Sequence, residues 1–258
     1  MKKYTLPFIA FVLVLMTSLS SAAQSKQFNA LLITKTSGWH HESINAGVTS
    51  IRKMASAHHF DLDWQGNTNK INKKQLQKFD VVIFLSTTGD ILDNEQQTAL
   101  ENFIQSGKGF VGIHSAADTE YQWPWYQKLV GRNFITHPKI QTAKLKVESR
   151  NFPGLSRMPD EFLWTDEWYH FSDAHVDNLN YLLSVDESTY NPKTKTNQGN
   201  YDGMGSFHPI AWYHDFDGGR AFYTGLGHLE AHYQNPLFLE HLYGGIYWAA
   251  MGKGISNK

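Results

Sequence analysis

Apolar residues recur along this chain with two different periods. Phe28–Thr34 is an apolar run of strand length, and a polar loop from Lys35 to Glu42 follows it. Ile44, Val48, Ile51 and Met54 then recur at spacings of three and four, which makes one face of a helix with Ser43 as its expected N-cap. Phe60–Trp64 alternates apolar and acidic residues, as a strand near a sheet edge does. Val81–Leu85 and Gly109–Ile113 are continuous apolar runs, suited to strands covered on both faces. Between them Asp93 or Asn94 caps a helix whose apolar positions are Leu100, Phe103 and Ile104. Strand, helix, strand, helix, strand predicts right-handed crossovers and a parallel sheet.

The second half is less regular. Ala143–Val147 and Tyr181–Val185 read as strands. Residues 186–206 hold almost no aliphatic side chains, so a long loop, able to act as a lid, is expected there. Ile210–Tyr213 and Arg220–Thr224 flank the turn-rich stretch Asp215–Gly219 and read as a hairpin. Pro236–Met251 is a final helix with Leu239, Leu242 and Ile246 on one face. No repeat and no interdomain linker interrupts this order. The expected fold is a single α/β domain over residues 24–258, an open, mostly parallel sheet with helices on both faces.

The first 23 residues read differently. Lys2 and Lys3 precede an apolar run from Leu6 to Leu19, and Ser20, Ser21, Ala22 and Ala23 follow. That order is a secretory signal peptide, cleaved after Ala23. The apolar run falls short of the roughly 20 residues a membrane-spanning helix needs. The expected mature chain is therefore periplasmic or secreted, with no integral membrane association.

Composition narrows the chemistry. Lys plus Arg total 23 against 24 Asp plus Glu, so nothing favours a nucleic-acid partner. The absence of cysteine excludes disulfides, lipoprotein anchoring, thiolate metal sites and cysteine nucleophiles. Thirteen histidines and eight tryptophans are the unusual counts: imidazoles serve as metal ligands and acid–base groups, and tryptophans wall ligand clefts.

Ligands of an open parallel sheet bind beyond the carboxyl ends of its strands. Gly38-Trp-His-His-Glu-Ser43 follows the first strand, Gly112-Ile-His-Ser-Ala116 the fourth, and Thr224-Gly-Leu-Gly-His228 a late one. His114 stands among small residues that permit a tight turn, as in a nucleophile elbow. Ser115, one position on, is expected to point elsewhere. Asp166 and Glu167, between Trp164 and Tyr169, are the candidate carboxylates, and as neighbours on a strand they should face opposite ways. His228 and His232 have the spacing of two ligands one helical turn apart, but Gly225 and Gly227 argue against an established helix. His58, His59, His137, His175, His214, His232 and His241 are read as structural.

These motifs, with Gly219-Arg-Ala-Phe-Tyr-Thr-Gly-Leu-Gly-His228, resemble the ThuA family over about residues 27–252. The resemblance implies a class I glutamine amidotransferase-like (flavodoxin-like) fold and a role in sugar catabolism, notably of disaccharides and their 3-keto derivatives. It places His41, His114, Glu167, Tyr169, Arg220 and His228 at the positions of the family's polar cluster. His114 stands where an amidotransferase has its cysteine, which excludes ammonia release from glutamine.

The expected function is an exported carbohydrate-active lyase, isomerase or hydrolase acting on a sugar or glycoside, including 3-keto sugars. His114 and Glu167 form its acid–base pair. His41 and His228 polarise the substrate, directly or through a divalent metal such as zinc held by His41, His114 and His228. Trp39, Trp123 and Tyr169 line the cleft, and Arg220 binds substrate. The competing reading is a carbohydrate-binding protein without turnover.

Overall fold

The computed structural model of the chain describes residues 1, 25–197 and 199–252; the signal peptide expected over residues 1–23, Met1 apart, lies outside them. Nine strands form one mixed sheet. Five are mutually parallel, in the order β2 (Asp61–Gln65), β1 (Asn29–Ile33), β3 (Val81–Leu85), β4 (Gly109–Ile113) and β13 (Gly219–Thr224). Four more continue it, each antiparallel to the last: β12 (His208–Phe216), β9 (Asn180–Asp186), β6 (Gln141–Val147) and β7 (Glu161–Asp166).

The parallel half follows from its residues. β3 and β4 are buried at every position, which their continuous apolar sequences require under helices on both faces. β2 lies at the edge and is only partly covered, so its alternating pattern suffices. β7 alternates exposed and buried residues toward its end, as an antiparallel strand with one solvated face does. The β12–β13 hairpin closes on Asp217-Gly218, at φ 48° and 87°. Two successive left-handed residues are what a tight type I′ turn needs, and Asp-Gly adopts it readily.

Helix α1 (Ile44–Ala57) and helix α5 (Pro236–Met251) cover one face, where Gly47 abuts Leu85 and Gly245 abuts Phe222. Helix α4 (Pro124–Val130) lies over the other, with Tyr126 against Phe84 and Phe110. A short helix α2 (Lys73–Leu76) packs on helix α3 (Asn94–Gln105), whose start carries a full capping box between Asp93 and Gln96. Ser43 occupies the N-cap position of α1 but makes no side-chain cap; its hydroxyl donates to Gly227 O at 3.1 Å. That bond ties the start of α1 to the loop after β13.

The stretch 186–206 is more ordered than its composition predicts. It contains a 3-10 turn at Glu187–Thr189 and a hairpin of β10 (Thr194–Thr196) and β11 (Gly199–Tyr201). Glu187 anchors it by accepting from the backbone nitrogens of Met204 and Gly205 and from His208. The remaining pair, β5 (Phe134–Thr136) with β8 (His170–Phe171), forms a separate two-stranded antiparallel sheet.

Candidate functional site

The carboxyl ends of β1, β4, β13 and β7 each deliver one polar side chain to a common point. His41 comes from the loop before α1, and Glu167 follows β7 directly. His114 opens the 3-10 turn His114–Asp118 after β4 and holds a left-handed backbone, φ 53°. A side chain there costs about 1–2 kcal/mol, which surrounding contacts must offset. They are present: Tyr223 OH donates to His114 O at 2.7 Å, and His114 Nδ1–H donates to Gly225 O at 2.9 Å. Gly112 lets the turn close, since a Cβ there would meet the Tyr223 ring at 3.0 Å.

With Nδ1 engaged, the lone pair of His114 sits on Nε2 and faces the cluster. Nε2 lies 3.0 Å from the Tyr169 hydroxyl, 3.2 Å from His228 Nδ1 and 3.6 Å from Glu167 Oε2. His228 Nδ1 is 3.1 Å from Glu167 Oε2. The His41 ring meets His114 and His228 edge-on at 4.7 and 5.4 Å, and Ser115 Oγ lies 3.3 Å from His41 Nδ1. His114 and His41 are buried, Glu167 nearly so, and His228 is partly open to solvent.

Charges in the cluster are distributed unevenly. Burial pushes Glu167 up, but the imidazoles of His114 and His228 beside it outweigh that cost, holding the carboxyl well below the usual range. Burial, then the charges of His114 and His228, drives His41 down to about 3, so it is neutral. Burial also lowers His228, yet its hydrogen bond and attraction to Glu167 leave it raised overall. Burial keeps the Tyr169 phenol protonated, and it donates toward His114.

His41, His114, His228 and Glu167 each offer a ligand atom, all within 4.8 Å of one another. Zinc ligands at 2.0–2.1 Å stand about 3.4 Å apart along a tetrahedral edge. The 3.1, 3.2 and 3.6 Å separations among Glu167, His228 and His114 bracket that length. Three imidazoles, one carboxylate and a carbonyl orienting His114 form a donor set that fits a divalent ion.

Not every expected residue arrives here. Tyr169 does, but as a buried ring stacked on His114 at 4.5 Å rather than as a cleft wall. Trp39 is 70% exposed on the loop that carries His41. Trp123 is taken up by packing: it stacks on Trp125 and Tyr126 and its indole N–H donates to Glu101. Arg220 lies at the opposite, amino end of β13, where its guanidinium donates to Ala249 O and Ala250 O at the end of α5. Five residue steps along the strand separate it from Gly225, about 16 Å of rise, so it cannot reach the cluster.

Conversely, residues set aside as structural belong to the surroundings. His137 Nδ1 is 3.1 Å from Glu167 Oε1, on the oxygen opposite the histidine pair. Ser115 turns toward His41 instead of away. His232 Nδ1 lies 3.3 Å from Asp166 Oδ2. Asp166 faces away from Glu167, as strand alternation requires, and accepts from the backbone nitrogens of Gly227 and His228. That alternation was the one sequence signal for it; His137, on a loop 30 residues before Glu167, gave none.

A cavity of about 1240 Å³ lies between α1 and α5 and is lined by none of the four cluster residues. Convergent titratable groups, not volume, mark the chemistry here.

The chain matches the ThuA family model, described as trehalose utilisation, over residues 29–249. It is similar to the crystal structure of a ThuA-like protein from Bacteroides uniformis, 20% identical, TM-score 0.74, covering 92% of this chain and 98% of that one. A ThuA-like protein from Parabacteroides merdae is 19% identical at TM-score 0.71, covering 90% and 93%. A cytoplasmic protein from Salmonella typhimurium is 10% identical at TM-score 0.58, covering 86% and 98%. No curated protein matches the chain. At these identities the solved structures establish the shared fold and nothing about activity.

Proposed function

Because the chain belongs to the ThuA family, we propose that it transforms a sugar or glycoside at the His41–His114–Glu167–His228 cluster. The observation that carries this reading is the convergence of four groups from four strand ends around a strained, fully buried His114. Strain of that kind is kept where geometry serves a task. The family's link to trehalose utilisation supports a carbohydrate substrate, and exposed Trp39 offers a flat apolar face for a sugar ring. The apolar leader in residues 1–23 supports export, which would present the protein with extracellular or periplasmic sugars.

His41, His114, His228 and Glu167 would hold a divalent ion such as zinc. When bound, that ion supplies a Lewis acid for a carbonyl or hydroxyl oxygen. Glu167, held well below the usual carboxylate range, is a poor proton acceptor and fits the role of ligand and counter-charge. Its partners set its direction: His228 and His114 on one oxygen, His137 on the other. Tyr169 holds its proton and steadies the His114 ring.

A second reading, His114 and Glu167 acting as an acid–base pair without an ion, is favoured by the Tyr169 hydroxyl. It sits on the lone pair a metal would take. Elemental analysis of the purified protein, with incubation against glycosides and their 3-keto forms, separates the readings. Stoichiometric metal and metal-dependent turnover support the first; metal-independent turnover lost in His114→Ala supports the second. Sugar binding with no product overturns both in favour of a binding protein.

A further inference from the structure

Every carbonyl oxygen of the 3-10 turn His114–Asp118 accepts a hydrogen bond from outside the turn. His114 O takes the Tyr223 hydroxyl at 2.7 Å, and Ala116 O takes the Tyr126 hydroxyl at 2.8 Å. Thr119 Oγ1 reaches Ser115 O at 3.3 Å, and Asn133 Nδ2 reaches Ala117 O at 3.4 Å. Asp118 O takes the backbone N–H of Gly89 at 2.8 Å. A short turn is thus gripped from β13, from α4 and from the segments that follow β3 and α4.

The two phenols make the shortest side-chain contacts of this set. Both are buried, and burial raises their pKa well above the ordinary value, so each keeps the proton it donates. His114 and Ala116 are fully buried as well, so a carbonyl that lost its phenol would lose a partner that water cannot replace. The Tyr126 ring packs on Phe84, Phe110 and Trp123 and meets the turn at Ala116 O.

The turn needs such a grip. A φ of 53° is unfavourable for any residue with a Cβ, and relaxation to a negative φ would swing the imidazole, taking Nε2 away from His228 and Glu167. We propose that Tyr126 and Tyr223 are positioning residues of the cluster: their hydroxyls clamp the turn so that His114 stays left-handed and its Nε2 faces His228 and Glu167. The proposal rests on the reading of His114 as a working member of the cluster. Each phenol acts through the carbonyl it binds. Neither was among the expected site residues, because a hydroxyl on a core ring leaves no mark on apolar periodicity.

Tyr126→Phe and Tyr223→Phe each remove one oxygen and keep the ring, so they test the clamp in the full chain. The wild type should show a slowly exchanging proton resonance from His114 Nδ1–H, identified by its disappearance in His114→Ala. In the phenylalanine variants that resonance should shift or vanish. Those of His208 and His232, whose Nε2–H groups donate to Tyr169 O and Thr165 O, should stay in place. Zinc affinity, measured by calorimetry, should fall about 10- to 100-fold in the same variants. It should hold in Tyr190→Phe, which loses a hydroxyl contact with His208 away from the turn.

An unmoved His114 resonance in both variants overturns the proposal. Movement of all three resonances does so too, since the core at large has then loosened, as does failure of both variants to fold. A moved resonance with zinc affinity intact shows that the cluster does not need the clamp, and overturns its positioning role. A wild type that binds no zinc and turns over no sugar overturns the reading of the cluster instead, and the His114 resonance then decides the clamp by itself.

Discussion

Asp166 Oδ2 accepts the backbone N–H of Gly227 at 3.0 Å, across 61 positions of sequence. Its other oxygen takes the N–H of Glu167 at 2.8 Å and reaches that of His228 at 3.3 Å. One buried carboxylate thus sets the spacing between the two polar side chains that meet at the cluster. Asp166→Asn puts an amide N–H2 where an acceptor is needed, opposite a backbone donor. We expect divalent-ion affinity to fall about 10- to 100-fold, as when other groups that orient ligands are lost. Zinc titration followed by calorimetry checks this; unchanged affinity with a folded protein would show that the loop holds itself.

The strain at His114 can be isolated. His114→Ala and His114→Gly both lose the ring and its bond to Gly225 O, but only glycine adopts φ 53° freely. The glycine variant should be more stable than the alanine variant by about 1 kcal/mol. Urea unfolding of the pair measures the difference, and equal stabilities would mean that the left-handed turn relaxes.

Arg220 belongs to the helix end, not to substrate. Two of its nitrogens donate to the last carbonyls of α5, where a cation also meets the negative end of the helix dipole. Arg220→Met should cost about 1–2 kcal/mol of stability and leave KM for any sugar substrate unchanged. A raised KM at unaltered Tm would restore it to the binding site.

His241 offers a pH test. It is buried in α5 beside Phe222, and neither ring nitrogen has a partner. Burial lowers its pKa to about 3, and burial lowers that of His214 to about 4. Unfolding frees both to bind protons below about 6.5, so the unfolded state holds more protons throughout that window. Stability must then fall as pH drops from about 6.5, by up to about 1.4 kcal/mol per pH unit for each group. His241→Leu should flatten that slope and raise stability near neutral pH by about 1–2 kcal/mol. Denaturant unfolding from pH 7 to 4 reads both effects; an unaltered slope would place the proton uptake elsewhere.

The parallel half of the sheet, its helices and the strand ends bearing His41, His114 and His228 were legible in the residues. Continuous apolar runs, three-and-four spacing and capping residues are local, so they act alike in any compact fold. The antiparallel wing was legible only in pieces, because half-solvated strands carry weaker patterns. Tertiary structure alone decided which polar groups meet. Arg220 and His228 share one motif, yet the length of β13 sends them to opposite ends of the sheet. Asp166 and Glu167 are neighbours, yet the two-residue period of a strand gives one to the loop and the other to the histidines. His137 is placed by a contact made from a distant segment, through Glu167. Periodicity says how a segment folds; only the path of the whole chain says which side chains it brings within reach of one another.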